Sequence, residues 1–171
     1  VVNARQLILA VPSNKAAQMT GGISSELAKT LAAIQYAPIA VVCFGYDARN
    51  VRATLDGFGF LVPSKENKRI LGSIWTSSIF ADRAPVGKVQ FRSMVGGDGD
   101  QESAMLSDEQ LVSLVKQDLD SIIGLSGEPE LVRIYRWTHG IPQYHVGHLD
   151  RMQVIERELR AIGGLHLTGN A

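Results

Sequence analysis

The sequence predicts an α+β fold, in which a largely antiparallel or mixed β-sheet is covered by helices. Strand-like segments cluster in the middle of the 171-residue chain, and the strongest helical patterns come late. Apolar strands also stand near both ends, "QLILAVP" and "LHLTGN", and they look like members of a parallel sheet whose other strands are missing. Because the chain opens within one strand and stops just after another, we interpret it as part of a longer protein.

The charge balance argues against two classes of partner. The chain has 17 Lys and Arg against 17 Asp and Glu, so its formal net charge is zero. Nucleic acids and anionic membranes attract proteins with an excess of basic residues, and this chain has no such excess. The apolar runs are far shorter than the roughly 20 residues that cross a bilayer. The single cysteine, Cys43, lies in the apolar run "IAVVCFGY" and is expected to act as a small core residue.

The first part of the chain alternates strands and helices. "RQLILAVP" reads as a buried strand that ends at Pro12, and residues 15–19 are compatible with a short helix. "SSELAKTLAAI" places leucines at helical spacing after a candidate N-cap, Ser24 or Ser25. "APIAVVCFGY" is rich in β-branched and aromatic residues and predicts a second buried strand.

The middle of the chain predicts an antiparallel meander. The segments "GFGFLVP", "RILGSIWTSS" and "KVQFRSMVGG" each have the composition of a strand. The polar stretch "SKENK" reads as a hairpin loop between the first two strands. "FADRAPVG" forms the longer link to the third.

Two amphipathic helices are predicted in the last third. In "SDEQLVSLVKQDLDSIIGL", Ser107 and Gln110 have the spacing of a capping box, and Gly124 marks the end. "ELVRIYRW" then predicts a strand. "HLDRMQVIERELRAIGG" predicts a helix that stops at Gly163.

Several kinds of reactive site are disfavoured by spacing. His139, His145 and His148 lie close together but lack the further ligands of a tetrahedral metal site, so no metal is predicted. The "GxSxG" elbow of a hydrolase is absent. "GFGFLV" does not complete a G-x-G-x-x-G phosphate loop, because its sixth position is Val62. No catalytic residue is identified, although a general-base role for His139 or His145 stays open.

Glycines and aromatic residues together indicate a site for a flat ring. If Gly57 and Gly59 share one face of a strand, their missing side chains leave accessible backbone. In "RWTHGIPQYHVGH", Pro142 fixes the backbone between Trp137 and Tyr144, whose amphipathic rings favour a ligand-facing edge. We therefore interpret this segment as a rigid aromatic turn.

These segments resemble a known enzyme family. "LILAVP", "GFGFLVPSKE", "ILGSIW-SS-F-DRAP", "VGG", "LSDEQLV", "DL---IGL-G-P", "RW---IPQYHVGHLDR" and "L-L-GNA" occur in this order in the oxygen-dependent protoporphyrinogen oxidases. Those flavoenzymes of haem biosynthesis are relatives of the monoamine oxidases. The resemblance covers nearly the whole chain.

The resemblance implies FAD as cofactor and a porphyrinogen as substrate, with oxygen taking the electrons. It implies that residues 1–12 contribute a strand of the FAD-binding domain. Residues 13–163 would then be part of the substrate-binding domain, and residues 164–171 would begin the segment that closes on the flavin. The chain lacks the dinucleotide phosphate loop, so by itself it is expected to be inactive and to bind little FAD.

The resemblance also assigns individual residues. It implies substrate contacts by these five residues: Phe58, Gly59, Leu61, Ile74 and Met94. It implies cofactor contacts by these seven: Ala10, Val11, Pro12, Trp137, Tyr144, Gly169 and Ala171. The histidines would be structural.

Other readings stay open at this point. The substrate is protoporphyrinogen IX or, alternatively, coproporphyrinogen III. The chain could also come from another amine-oxidase-like flavoprotein, such as an amine oxidase or carotenoid desaturase, or form a non-enzymatic ligand-binding domain. The resemblance implies a cytoplasmic location, with peripheral membrane contact of the full protein. The orphaned terminal strands predict self-association of the chain alone.

Overall fold

The computed structural model describes residues 3–170, which form two compact units. We name the units by their order along the chain: the inner unit is the continuous middle stretch Ala37–Ile141, and the outer unit comprises residues 3–36 and 142–170. The resemblance implies domain boundaries after Pro12 and Gly163, whereas the structure divides the chain after Tyr36 and Ile141. Helices that the sequence assigned to the substrate domain belong to the outer unit. Which unit serves cofactor or substrate stays a prediction.

The outer unit combines three helices with a small parallel sheet. Strand β1 (Leu7–Leu9) pairs in parallel with β7 (Leu165–Leu167), so the two terminal strands are partners of each other. Helices α1 (Ser13–Thr20), α2 (Ser25–Ala32) and α5 (His148–Ile162) accompany them. Their core is formed by buried side chains from all three helices and both strands, including Leu9, Ala16, Leu27, Leu31, Ile155 and Leu165.

Strand β1 is less buried than its apolar sequence predicts. Leu9 is buried, but Leu7 and Ile8 are largely exposed. A strand of a parallel sheet is normally covered on both faces and paired on both edges. Within the described residues, β1 pairs only with β7. Residues 3–170 therefore leave the apolar side chains of Leu7 and Ile8 largely exposed to solvent.

The inner unit is built on a five-stranded, mainly antiparallel sheet. Its strands are β2 (Tyr36–Asp47), β3 (Gly59–Leu61), β4 (Ile70–Trp75), β5 (Lys88–Gly96) and β6 (Leu131–Pro142), in the order β3-β4-β5-β2-β6. The predicted α+β class and the meander of β3, β4 and β5 are confirmed. The "SKENK" loop joins β3 to β4 through a short 3-10 turn, as predicted. Helix α3 (Thr76–Ile79) is a single turn after β4.

Helix α4 (Asp108–Ile123) covers one face of this sheet. The predicted capping box is present, with Ser107 and Gln110 each bonding the other's backbone, and Gly124 ends the helix in the left-handed conformation. Buried leucine, valine and isoleucine side chains of α4 pack on the alternate residues Val42, Phe44 and Tyr46 of β2. The core of the inner unit therefore lies between α4 and this face.

Strand β6 is longer than predicted. The sequence placed its end near Trp137, but it continues to Pro142 beside the twelve-residue β2. Residues 137–142 are therefore strand, and the interpretation of "RWTHGIP" as a rigid turn is wrong. Strand β3 is shorter than "GFGFLVP" suggested, since Gly57 and Phe58 precede it.

Among residues 3–170, no helix is both long and apolar enough to span a membrane.

Candidate functional site

The face of the five-stranded sheet opposite α4 carries most of the predicted substrate-binding residues. Side chains alternate between faces along a strand, so residues next to the α4-facing ones point to the opposite side. We call this opposite side the open face. Across strands β3, β4, β5 and β2 the open face includes two four-residue rows: Gly59–Ile74–Arg92–Cys43 and Leu61–Gly72–Met94–Val41.

Four of the five predicted substrate residues lie in these two rows. Gly59 pairs with Ile74 in one row. Leu61 pairs with Gly72, which pairs with Met94, in the other. Leu61 is 80% exposed, whereas Ile74 and Met94 are half-buried. The fifth residue, Phe58, comes just before β3 and is 69% exposed. The sequence therefore brings apolar side chains from three strands onto one accessible surface.

Gly57 and Gly59 do not together leave a stretch of accessible backbone on this face, as the sequence suggested. Gly57 lies outside β3, and a Cβ there would only touch the ring of Trp75. Gly59 has a φ of +133°, and a Cβ added to it would stand 2.1 Å from the carbonyl oxygen of Ser73. Glycine is required at position 59 because β3 and β4 approach closely, and not because a ligand needs bare backbone.

Trp137 also belongs to the open face. Val132 and Ile134 of β6 pack against the α4-facing core, so the odd-numbered residues around them point the other way. The Trp137 ring is stacked on that of Tyr135, with centroids 6.0 Å apart, and both rings are about half exposed. An exposed aromatic pair two residues apart on a strand gives this face a flat apolar margin.

The other residues of the predicted aromatic turn are divided between the units, with His139 on β6 and Tyr144, His145 and His148 in the outer unit. Tyr144 belongs to the outer unit, where its ring lies 4.5 Å from that of His148 and its hydroxyl donates to the Asn170 carbonyl. His148 begins α5. In the part of the chain that the structure describes, no group of three His, Cys, Asp or Glu residues could hold a metal ion.

Two of the predicted cofactor-binding residues line a cavity of about 250 Å³ in the outer unit. Val11, just after β1, and Gly169, just after β7, both line it, together with apolar side chains of α2 and α5. Ser13 lines it too; this serine is 2% exposed, and its hydroxyl has no hydrogen-bond partner among residues 3–170. Ala10 and Pro12 flank Val11 without lining the cavity, and Ala171 lies outside the described residues.

These features fit part of a flavin nucleotide. The cavity is predominantly apolar, which suits a flat ring, and the unpartnered Ser13 hydroxyl can bond a polar atom of a bound group. A Cβ on Gly169 would meet nothing within 4 Å, so this backbone can be approached closely. The sequence contains no glycine-rich phosphate loop, so the cavity suits only a portion of the cofactor.

Sequence reasoning missed two residues of the open face, Arg92 and Tyr135. Arg92 is exposed and stands between Ile74 and Cys43. Its position two residues before Met94 places it on the same face, a signal that strand alternation alone could have supplied. Cys43 is buried as predicted, and burial raises the pKa of its thiol, which the positive charge of Arg92 partly opposes.

Comparison with known families decides what these features belong to. The family described as "Flavin containing amine oxidoreductase" matches residues 1–171. The chain belongs to this family. The prediction of a flavin cofactor is thereby confirmed for the family, as is the resemblance on which it rested.

Curated members of the flavin-containing amine oxidoreductases include close sequence relatives. The chain is 32% identical over 171 residues to a coproporphyrinogen III oxidase of Bacillus subtilis, covering 98% of this chain and 36% of that protein. It is 33% identical over 155 residues to protoporphyrinogen oxidase 2 of Arabidopsis thaliana, covering 89% and 30% respectively. The chain thus spans about a third of the length of these relatives.

Two solved structures share the fold of this chain. A protein from Exiguobacterium sp. 255-15, to which protoporphyrinogen oxidase activity has been ascribed, matches with a TM-score of 0.72 and 29% identity, covering 97% of this chain and 36% of that one. A reduced UDP-galactopyranose mutase matches with a TM-score of 0.74 at 16% identity, covering 96% and 36%, which shows the fold alone.

Proposed function

We propose that this chain is the substrate-contacting part of an FAD-dependent oxidase that converts protoporphyrinogen IX to protoporphyrin IX with oxygen. The observation that carries the proposal is the open face, where Leu61, Ile74 and Met94 stand on neighbouring strands. The names of the relatives support a porphyrinogen as the substrate class. Coproporphyrinogen III is the second candidate, because the B. subtilis relative matches almost the whole chain.

The residues of this chain would act by binding and orientation. The apolar side chains of the open face cover one side of the macrocycle, and the Tyr135–Trp137 pair borders it. Val11, Ser13 and Gly169 would hold part of the cofactor in the cavity of the outer unit. The chemistry that FAD supplies when bound is acceptance of hydride equivalents from the macrocycle, whose electrons then pass to oxygen. No nucleophile or metal of this chain is needed for that reaction.

The test is an oxidation assay with the full-length protein that contains this chain. Porphyrin fluorescence is followed with protoporphyrinogen IX and with coproporphyrinogen III as separate substrates. Faster turnover of the former supports the proposal, and faster turnover of the latter supports the second candidate. Failure to oxidise either, with turnover of a simple amine instead, would contradict both.

A variant links the assay to the open face. Covering the exposed Leu61 side chain with substrate removes apolar area worth about 1.5–3 kcal/mol. Leu61→Ala is therefore expected to raise KM on the order of tenfold, with unchanged melting temperature. The matched control is Val146→Ala in the outer unit, which truncates an aliphatic side chain that is even more exposed than Leu61. An equal effect of both substitutions would argue against the open face as the binding surface.

Residues 1–171 alone are proposed to be inactive and to bind little FAD, since the phosphate-binding loop is absent. Stoichiometric FAD binding by the isolated chain would contradict this. We also propose that the isolated chain self-associates, because Leu7 and Ile8 of β1 expose apolar surface. Peripheral membrane contact of the full protein stays a prediction.

A further inference from the structure

The open face contains one strand residue whose chemistry the apolar site does not use. Arg92 lies at the centre of β5, in the row with Gly59, Ile74 and Cys43. Its neighbours on either side, Phe91 and Ser93, are fully buried on the other face, so the strand fixes its direction. Arg92 thus lies next to Ile74 across the sheet and to Met94 along the strand, and its side chain interacts with the thiol of Cys43.

No carboxylate within residues 3–170 forms an ion pair with Arg92. Strands β2 to β6 place one acidic residue on this face, Asp47, at the far end of β2. Arg49 binds that carboxylate at 2.8 Å and Lys88 at 3.3 Å, and the hydrogen bonds from Arg49 hold the pKa of Asp47 below its usual range. Asp47 stands four residues from Cys43, about 13 Å along the strand. The charge of Arg92 is therefore available to an external anion.

We propose that Arg92 binds a carboxylate of the macrocyclic substrate. This inference rests on the proposed function, because porphyrinogens carry propionate groups at the ring edge. A ring seated on Leu61, Ile74 and Met94 lies within about 7 Å of Arg92, the spacing of alternate residues on a strand. A guanidinium fork pairs with a carboxylate through two parallel hydrogen bonds, which fixes orientation as well as affinity. Arg92 thus sets the rotation of the macrocycle on the open face.

The test compares acids with their esters in the full-length protein loaded with FAD. Protoporphyrin IX and its dimethyl ester present the same ring, but only the acid offers carboxylates. Binding of each is measured by fluorescence titration, and KM and kcat are measured for the corresponding porphyrinogens. For Arg92→Gln we expect about ten- to hundredfold weaker binding of the acid, with ester binding unchanged. Arg92→Lys keeps the charge but loses the planar guanidinium fork. Its affinity for the acid is expected to lie between those of the wild type and Arg92→Gln.

Controls separate the possible failures. Lys65→Gln, in the loop between β3 and β4, removes the same charge from an exposed residue and is expected to leave both titrations unchanged. Thermal unfolding checks that Arg92→Gln folds like the wild type. If acid and ester weaken equally, or neither weakens, the role of Arg92 is refuted while the proposed function stands. If the wild type binds neither porphyrin, the proposed function itself fails.

Discussion

The Asp118 carboxylate is predicted to be a main support of the start of β4. This residue of α4 is buried, and its Oδ2 atom accepts hydrogen bonds from the backbone amides of Arg69 at 2.9 Å and Ile70 at 3.1 Å. The Lys68 ammonium lies 3.9 Å from the other oxygen, Oδ1. One side chain thereby ties the helix to the strand that leads into the open face.

Two substitutions separate the hydrogen bonds from the charge. Asp118→Ala leaves two amide donors without an acceptor, one of them on the fully buried Ile70, and is expected to cost about 2–4 kcal/mol of unfolding free energy. Asp118→Asn keeps a carbonyl oxygen, which has two lone pairs and can serve both amides. It loses the charge assistance and the attraction to Lys68, so we expect a cost of about 1 kcal/mol.

Urea unfolding at neutral pH measures both variants, and hydrogen exchange at the Ile70 amide reports the local effect. The alanine variant should show faster exchange at Ile70 than the asparagine variant. Equal destabilisation by the two substitutions would refute the reasoning, because the acceptor oxygen would then contribute nothing beyond the charge.

Three further outcomes are expected. Gly59→Ala should lower the melting temperature, since strain and backbone collision cost about 1–3 kcal/mol, whereas Gly57→Ala should be tolerated; similar melting points would contradict the close approach of β3 and β4. Burial raises the pKa of Tyr46 from 10 to about 12, so stability present below pH 10 is lost between about pH 10 and 12. Tyr46→Phe should remove this loss, and an equal loss of stability in both proteins over this pH range would argue otherwise. Ile8→Lys should reduce self-association of the isolated chain in sedimentation experiments more than Val146→Lys does; equal effects would point to a surface other than β1.

Local signals predicted much of this fold. The Ser107–Gln110 capping box, the left-handed Gly124 and the polar hairpin loop are each written in a few adjacent residues, and each is present. Such features depend on backbone hydrogen bonds within a few residues. The α+β class followed from the order of the predicted strands and helices along the chain.

Features that depend on distant partners were harder to predict. Pro142 suggested a turn, but pairing with β2 keeps residues 137–142 in a strand. Gly140 is needed there because an added Cβ would lie 2.5 Å from Cγ2 of Ile39. Pro142 ends the strand, a position where the missing amide costs little. Similarly, the glycine at position 59 accommodates a neighbouring strand that a single segment of sequence does not reveal.

The candidate site was predictable in its residues more than in its shape. Alternation placed Leu61, Ile74 and Met94 on one face once the strands were known, and the family resemblance selected them. The cavity beside Ser13, in contrast, is lined by strands and helices from both ends of the described chain, and no single stretch of sequence reveals it.

The parallel pairing of β1 with β7 has a consequence for biosynthesis. Its two strands are more than 150 residues apart in sequence, so this contact can close only after residues 165–167 have left the ribosome, long after β1. The inner unit is one continuous stretch, Ala37–Ile141, and can condense earlier. Its condensation would shorten the effective loop between β1 and β7. Translation should therefore yield the sheet that bears Arg92 and Met94 before the unit that contains α1 and α5 is completed.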